Sequence, residues 1–330
     1  MRSVSDAAAE MKNVPVCLLD NICADVPQDL VVNFPNKIII YFYSGTTAYD
    51  YETFPLSNIT DVLQHPRYDL SRRTLLYLHG FTETPMKESV VTVVTAHLQR
   101  GDHNVLSVDW SEVCNRTYRE AAVLAPLTGL HVARGLDALV RAGQPLSHVH
   151  VVGHSLGGQC AGHVGKALTV GRLPRITALD PARPLFEGVG SPHLQREDAL
   201  AVVVIHSDGG FYGVRAPTGT VDFFPNGGSR YQPGCSPAPD ACAGDAFISS
   251  IPSFDTPNKT VQSDFCSHAH SWRFYAASVL DERRYPAVPC ASWFHFQWGL
   301  CPATPATVAY MGFPDPGRAE GTYYLVAVPP

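Results

Sequence analysis

The chain has 330 residues, 45% of them apolar and 16% charged, enough to bury a large core in one big α/β domain or two modest ones. Thirty acidic against 24 basic residues give a formal net charge of −6 with no Lys/Arg block, which excludes a basic field for nucleic acid. The longest strongly apolar stretch, Ala199 to Ile205, is seven residues, far short of the roughly 20 that a spanning helix needs, so no transmembrane segment is expected.

At the start, Met1 to Val16 mixes Arg2, Asp6, Glu10 and Lys12 with small residues and lacks the apolar centre of a secretory signal. The nine cysteines nevertheless point to an oxidising compartment. Cys17 and Cys23 are close enough to staple a local loop, as are Cys290 and Cys301, while Cys235 and Cys266 bracket a larger one that also contains Cys242. The odd number leaves at least one thiol without an intramolecular partner. Sequons at Asn58, Asn115 and Asn258 add to the secretory reading.

Further along, apolar runs rich in β-branched and aromatic residues predict strands at Lys37–Ser44, Thr74–Leu78, Asn104–Val108, His148–Val152, Arg175–Leu179 and Ala201–His206. Helical patterns separate them. Pro85–Arg100 places Val90, Val91, Val94 and Leu98 on one face, and Ala121–Ala142 carries Leu124, Leu127, Val132, Leu136 and Leu139, with Pro126 expected to kink or delay its start. This alternation predicts a mainly parallel sheet covered by helices, in one domain over 1–330. Beyond Pro286 the chain is richer in proline and is expected to finish that domain with loops and edge strands.

Gly153-His154-Ser155-Leu156-Gly157 follows the strand His148–Val152 and precedes a helix at Gly158–Leu168. A serine on a sharp strand-to-helix turn needs small neighbours, because side chains at Gly153 and Gly157 would collide with adjacent backbone. The pentapeptide alone also arises by chance; its context favours a nucleophile. His79-Gly80-Phe81, after the strand Thr74–Leu78, lies where such a fold places its other oxyanion donor, so the backbone N–H groups of Phe81 and Leu156 form the candidate oxyanion hole.

Leu78-His79-Gly80-Phe81, Gly153-His154-Ser155-Leu156-Gly157-Gly158, Leu179-Asp180-Pro181-Ala182, Asp222-Phe223-Phe224-Pro225-Asn226-Gly227-Gly228 and Cys266-Ser267-His268 together resemble the animal pancreatic-lipase family. The blocks run in the family's order over nearly the whole chain and correspond to its catalytic domain, without its C-terminal β-sandwich. The resemblance implies an α/β-hydrolase fold and a secreted serine esterase acting on lipid esters at an oil–water or membrane interface. The implied triad is Ser155, Asp180 and His268, with no cofactor.

The same order, serine then acid then histidine, is that of α/β-hydrolases. Asp180 ends the strand Arg175–Leu179, although an Asp-Pro pair is also a common turn opening. Of His193, His206, His268, His270 and His295, the family pattern selects His268, on a loop that a Cys266 disulfide would anchor. His270 and His206 are its competitors, and a zinc site at His268-Ala269-His270 lacks a third clustered ligand.

Substrate rests on the covering loops. A lid is expected at 236–265, where Phe247, Ile248, Ile251 and Phe254 make an apolar stretch. The short loop from Gly209 to Thr220 is more similar to the phospholipase A1 and galactolipase-like branches. Triacylglycerol is the preferred substrate and phospholipid the alternative. In the family's calcium region only Asp198 remains among altered neighbours, so no structural calcium is expected. A non-catalytic lipid-binding or yolk-type storage protein is the competing reading from another class.

Overall fold

Leu75 and Tyr77 fall in one buried cluster and Leu76 and Leu78, one residue out of phase, in another, so the strand they share is covered on both faces. Val151 and Val152 divide in the same way, as do Val202 and Val203. This pattern forces a sheet between two helical layers. The computed structural model describes residues 13–19, 22–188, 190–235, 265–302, 304 and 306–328.

A disulfide-tied hairpin, β1 (Asn13–Leu19) and β2 (Ile22–Pro27), comes first and is held to the body by Arg119, whose Nε donates to Cys23 O at 2.8 Å. The sheet strands come next in the chain as β3 (Ile39–Tyr43), β4 (Tyr51–Pro55), β5 (Arg73–Leu78), β6 (His103–Asp109), β7 (Val149–His154), β8 (Arg175–Leu179), β9 (Ala201–Ile205), β10 (Val221–Pro225), β11 (Pro286–Pro289), β12 (Ala309–Tyr310) and β13 (Gly321–Leu325). Their spatial order is β12-β11-β13-β10-β9-β8-β7-β5-β6-β3-β4. From β6 across to β13 neighbouring strands are parallel; β3, β4, β11 and β12 continue the sheet antiparallel. The expected mainly parallel sheet is therefore what forms, and all six predicted strands are in it.

Among the described residues the α-helices are α1 (Gln28–Val32), α2 (Glu88–Arg100), α3 (Ser111–Cys114), α4 (Tyr118–Arg141), α5 (Leu156–Ala167), α6 (Cys266–Leu280) and α7 (Trp293–Gln297). One layer takes α4 and α5, through Leu124, Leu136, Ala161 and Val164; the other takes α2 and α6, through Val90, Val94, Phe274 and Tyr275. Helix α4 is long and apolar enough to cross a membrane by length and composition alone, yet 61% of its apolar window is buried against the rest of the chain.

Two expectations need correction. Pro126 neither delays nor ends α4, which starts earlier, at Tyr118, because a capping box fixes its first turn: Thr117 Oγ1 accepts from Glu120 N at 3.3 Å and Glu120 Oε2 from Thr117 N at 3.0 Å. The tail supplies an inner strand as well as edges, since β13 runs parallel to β10 and lies between β10 and β11.

Because β5 pairs with β6 on one side and β7 on the other, the chain reverses its direction of progress across the sheet there. The carboxyl ends of strands at such a switch leave a crevice, where α/β proteins bind ligands. At the opposite, amino-terminal edge, His97, His103 and His150 surround the Phe313 ring at 5.4, 5.5 and 6.5 Å. Burial holds His97 and His150 well below the usual histidine range, with His103 and Arg100 adding to the effect on His97 and Arg175 to that on His150.

An unfolded chain takes up protons at such histidines below about pH 6.5 while the folded chain refuses them, so their stabilising contribution is lost as pH falls. The unfolding free energy measured by denaturant from pH 7.5 to 5 is expected to drop below about pH 6.5, by up to about 1.4 kcal/mol per histidine per pH unit. His150→Phe should shrink that drop; an unchanged slope would refute the assignment.

Candidate active site

Ser155 joins β7 to α5 with φ 54 and ψ −121, a left-handed conformation that costs a non-glycine residue strain and holds its side chain up from the turn. The flanking glycines permit it. A Cβ on Gly153 would lie 2.2 Å from Gly157 O, and one on Gly157 2.2 Å from Leu78 O. The turn is pinned to β8 and to the segment just beyond that strand: Ser155 N donates to Leu179 O at 3.0 Å and Ala182 N to Ser155 O at 3.0 Å.

Asp180 comes directly after β8 with φ 48, is fully buried, and faces α6. His268 Nδ1 donates to Asp180 Oδ2 at 2.6 Å, while the other oxygen, Oδ1, accepts from Ser207 N at 2.8 Å and Asp208 N at 3.1 Å. Three donors therefore fix the carboxylate. Burial holds His268 below the ordinary histidine range, although Asp180 pulls the other way.

His268 lies in the first turn of α6 and not on the expected loop; Cys266, which opens that helix, is disulfide-bonded to Cys235 as anticipated. Apart from Phe265, the lid expected at 236–265 lies outside the described residues, as does Cys242. The remaining unpaired cysteines among the described residues, Cys114 and Cys160, are buried, and the Cys17–Cys23 and Cys290–Cys301 disulfides both form.

The structure thus brings Asp180 and His268 into direct contact, and the ring of His154, the residue before Ser155, has its centroid 4.7 Å from that of His268. No hydrogen bond joins Ser155 Oγ to His268 among the described residues. In unliganded hydrolases this bond is often long and tightens when substrate docks.

Gly80 packs under the serine: a Cβ there would lie 3.1 Å from Ser155 Cβ. The next residue is Phe81, and neither its N–H nor that of Leu156 donates to any acceptor among the described residues. His79 anchors the loop from below, its Nδ1 donating to Gly80 O at 3.0 Å. Burial alone would lower His79, but Asp109 and further partners raise it to about 10.

The competing histidines are otherwise engaged. His206 hydrogen-bonds through Nε2 to Asp222 at 2.8 Å and through Nδ1 to Val214 O at 3.0 Å, fully buried; His270 Nδ1 donates to Cys266 O at 2.8 Å. Ligand atoms of Asp180, Asp208 and His268 lie within 4.8 Å of one another, but Asp180 and His268 already use theirs on each other. Cys235 and Cys266 beside His270 are bonded together and offer no thiolate. Asp198 is already engaged: its Oδ2 accepts from Lys166 Nζ at 2.5 Å and from Gln195 N at 2.9 Å, which pairs the carboxylate with an ammonium.

Sequence reasoning missed three contributors. Tyr212 stacks on Phe265 at 4.3 Å with its ring 5.7 Å from His268, forming an aromatic wall beside that imidazole. Glu83 sits against His154 and Gly80. Gly213 leaves room for the Asp180 carboxylate, since a Cβ there would lie 2.3 Å from Oδ1.

A mainly parallel sheet with a strained serine turn at its switch point and a buried Asp–His pair over the next strand is the architecture of the α/β-hydrolases. Residues 34–326 match the family described as Lipase, and the chain belongs to that family. It is 33% identical over 287 residues to inactive pancreatic lipase-related protein 1 of Mus musculus, covering 83% of this chain and 58% of that one. Against pancreatic triacylglycerol lipase of Ictidomys tridecemlineatus it is 32% identical over 299 residues, 87% of this chain and 60% of that one. Lipoprotein lipase of Rattus norvegicus is 35% identical over 257 residues, 74% and 52% of the respective chains. The chain therefore spans between about half and three-fifths of the length of these relatives.

Gly213→Ala tests the packing around Asp180. The three donors prevent the carboxylate from stepping aside, so overpacking is expected to cost about 1–3 kcal/mol in denaturant unfolding. Gly188→Ala, with nothing within 4 Å of the new Cβ, should stay within about 0.5 kcal/mol of the parent. Equal effects would contradict the crowding argument.

Proposed function

We propose that the protein is a serine carboxylester hydrolase acting on lipid esters, with Ser155 as nucleophile, His268 as base and Asp180 as its orienting acid. The observation that carries this reading is the buried 2.6 Å Asp180–His268 bond beside the strained Ser155 turn. His268 takes the Ser155 proton as Oγ attacks the ester carbonyl, and the oxyanion receives the N–H groups of Phe81 and Leu156. The imidazolium then gives that proton to the leaving alkoxide. Water, deprotonated by the same imidazole, releases the fatty acid from the acyl-enzyme.

Triacylglycerol is the preferred substrate; the Tyr212–Phe265 wall beside His268 suits an apolar acyl chain, which triacylglycerol and phospholipid both carry. The short Gly209–Thr220 loop favours a second reading, phospholipase A1 activity. The reading of 1–330 as one hydrolase domain is supported by a single sheet drawing strands from Ile39 to Leu325. Secretion is supported by the three disulfides and by the exposure of Asn58 and Asn115; the sequon at Asn258 lies outside the described residues.

The test is hydrolysis of a soluble short-chain ester, emulsified triacylglycerol and phospholipid vesicles by the protein and by Ser155→Ala. Loss of about 10⁴-fold or more in the variant is expected. The faster lipid separates the two substrate readings, and inactivity of the intact protein on all three would favour a lipid-binding role. Since His268 is held low, the acid limb of kcat/KM should have its midpoint below about pH 6.5, with full activity above it. A midpoint well above that value would contradict His268 as the base in this setting.

A further inference from the structure

Beside the Asp180–His268 pair lies a second acid–imidazole pair, formed by Glu83 and His154. His154 Nδ1 is 3.2 Å from Glu83 Oε1, and Glu83 Oε2 accepts from Gly80 N at 2.7 Å. His154 precedes the serine at the end of β7, whereas Gly80 precedes Phe81, the proposed oxyanion donor. One carboxylate thus ties the loop carrying one catalytic element to the strand end carrying another. Burial alone would raise the Glu83 carboxyl, but His154 and then the Gly80 N–H bring it down to about 2, so it stays ionised and both hydrogen bonds are charge-assisted.

We propose that Glu83 is a positioning residue for ester hydrolysis, holding the Gly80–Phe81 turn and the His154 ring in register with Ser155 and His268. The inference rests on the esterase reading above. The turn needs such an anchor because Thr82, within it, has φ 57, outside the region a threonine prefers, and only specific contacts keep a strained turn in one state. His79 and Trp110 hold the turn from the β6 side, with Trp110 Nε1 donating to His79 O at 3.0 Å. Among the described residues, Glu83 is the side chain that hydrogen-bonds both the turn and β7.

The Phe81 N–H belongs to the peptide whose carbonyl, Gly80 O, accepts from His79 Nδ1 at 3.0 Å and Glu83 N at 3.3 Å, and the Glu83 carboxylate pins the peptide on the other side of Gly80, so the two planes together set the direction of that N–H. That donor meets charge that develops only in the transition state, so its misplacement lowers kcat and leaves ground-state binding alone. His154, in turn, packs its ring on the base at 4.7 Å. Loss of its partner frees that ring and with it the surface on which His268 rests.

The experiment measures kcat, KM and melting temperature with p-nitrophenyl butyrate for the full chain and for Glu83→Ala, Glu83→Gln, His154→Phe and the Glu83→Ala/His154→Phe double variant. Ser155→Ala sets the background. Glu83→Ala is expected to lower kcat about 10- to 100-fold with KM within about 2-fold, the scale of a misplaced oxyanion donor. Glu83→Gln keeps an acceptor for Gly80 N–H and should recover most of the loss, staying within about 10-fold of the parent. If the two side chains act as a unit, the double variant falls within about 3-fold of the worse single one.

A folded Glu83→Ala with the parent's kcat, or losses that multiply in the double variant, would overturn the proposal. Should Glu83→Ala not fold, Glu83→Gln and His154→Phe decide: a loss of kcat at constant KM in both supports it, and parental kcat in both overturns it. Turnover that survives in Ser155→Ala would bring down the esterase reading and this inference with it, an outcome distinct from Ser155-dependent turnover that ignores Glu83.

Discussion

The bond between Asp180 Oδ2 and His268 Nδ1 joins two buried residues 88 positions apart, and much of the architecture is arranged around it. A carboxylate taken out of water with a single partner would be costly. Here its second oxygen receives two backbone N–H groups from the turn after β9, so the charge is spread over three donors. The left-handed backbone at Asp180 aims the carboxylate across the top of the sheet, and the missing side chain at Gly213 leaves it space. On the other side, α6 presents the imidazole, with its entry anchored by the Cys235–Cys266 disulfide.

The serine turn answers to the same geometry. Its amide and carbonyl bond to Leu179 and Ala182, the residues flanking Asp180-Pro181, so Ser155 and Asp180 share one set of backbone hydrogen bonds between β7 and β8. Any change in the spacing of those two strands moves both residues together. The Gly80–Phe81 turn, the proposed oxyanion donor, comes from β5, the next strand along, so the three proposed catalytic elements follow adjacent parallel strands.

Much of this was legible in the sequence because the physical requirements are local. Fully buried parallel strands read as continuous apolar runs, so β5 through β9 stood out, and Arg175–Leu179 was bounded correctly at both ends. The glycines around Ser155 reflect close backbone approach and could be argued before any fold was known. What escaped depends on partners distant in the chain. Nothing local in Gly80-Phe81-Thr82-Glu83 says that the carboxylate will turn back onto Gly80 N–H and meet His154, although an acid three residues past a glycine in a turn is a fair hint. Tyr212 and Phe265 meet only because the loop after β9 folds under α6. His268 read as a loop residue because α6 is buried nearly all round and has little amphipathic signature. The Thr117–Glu120 capping box, by contrast, has a spacing readable in the sequence, and it went unread there.

The central claim is that this arrangement makes Ser155 a nucleophile poised by His268 and Asp180. The most direct test is to react the intact, disulfide-bonded protein with a fluorophosphonate ester and locate the adduct by peptide mass spectrometry. The account predicts a single stoichiometric phosphonyl adduct on Ser155, absent in the Asp180→Asn and His268→Ala variants over the same reaction time. No adduct on the parent, or an adduct elsewhere in the chain, would contradict it.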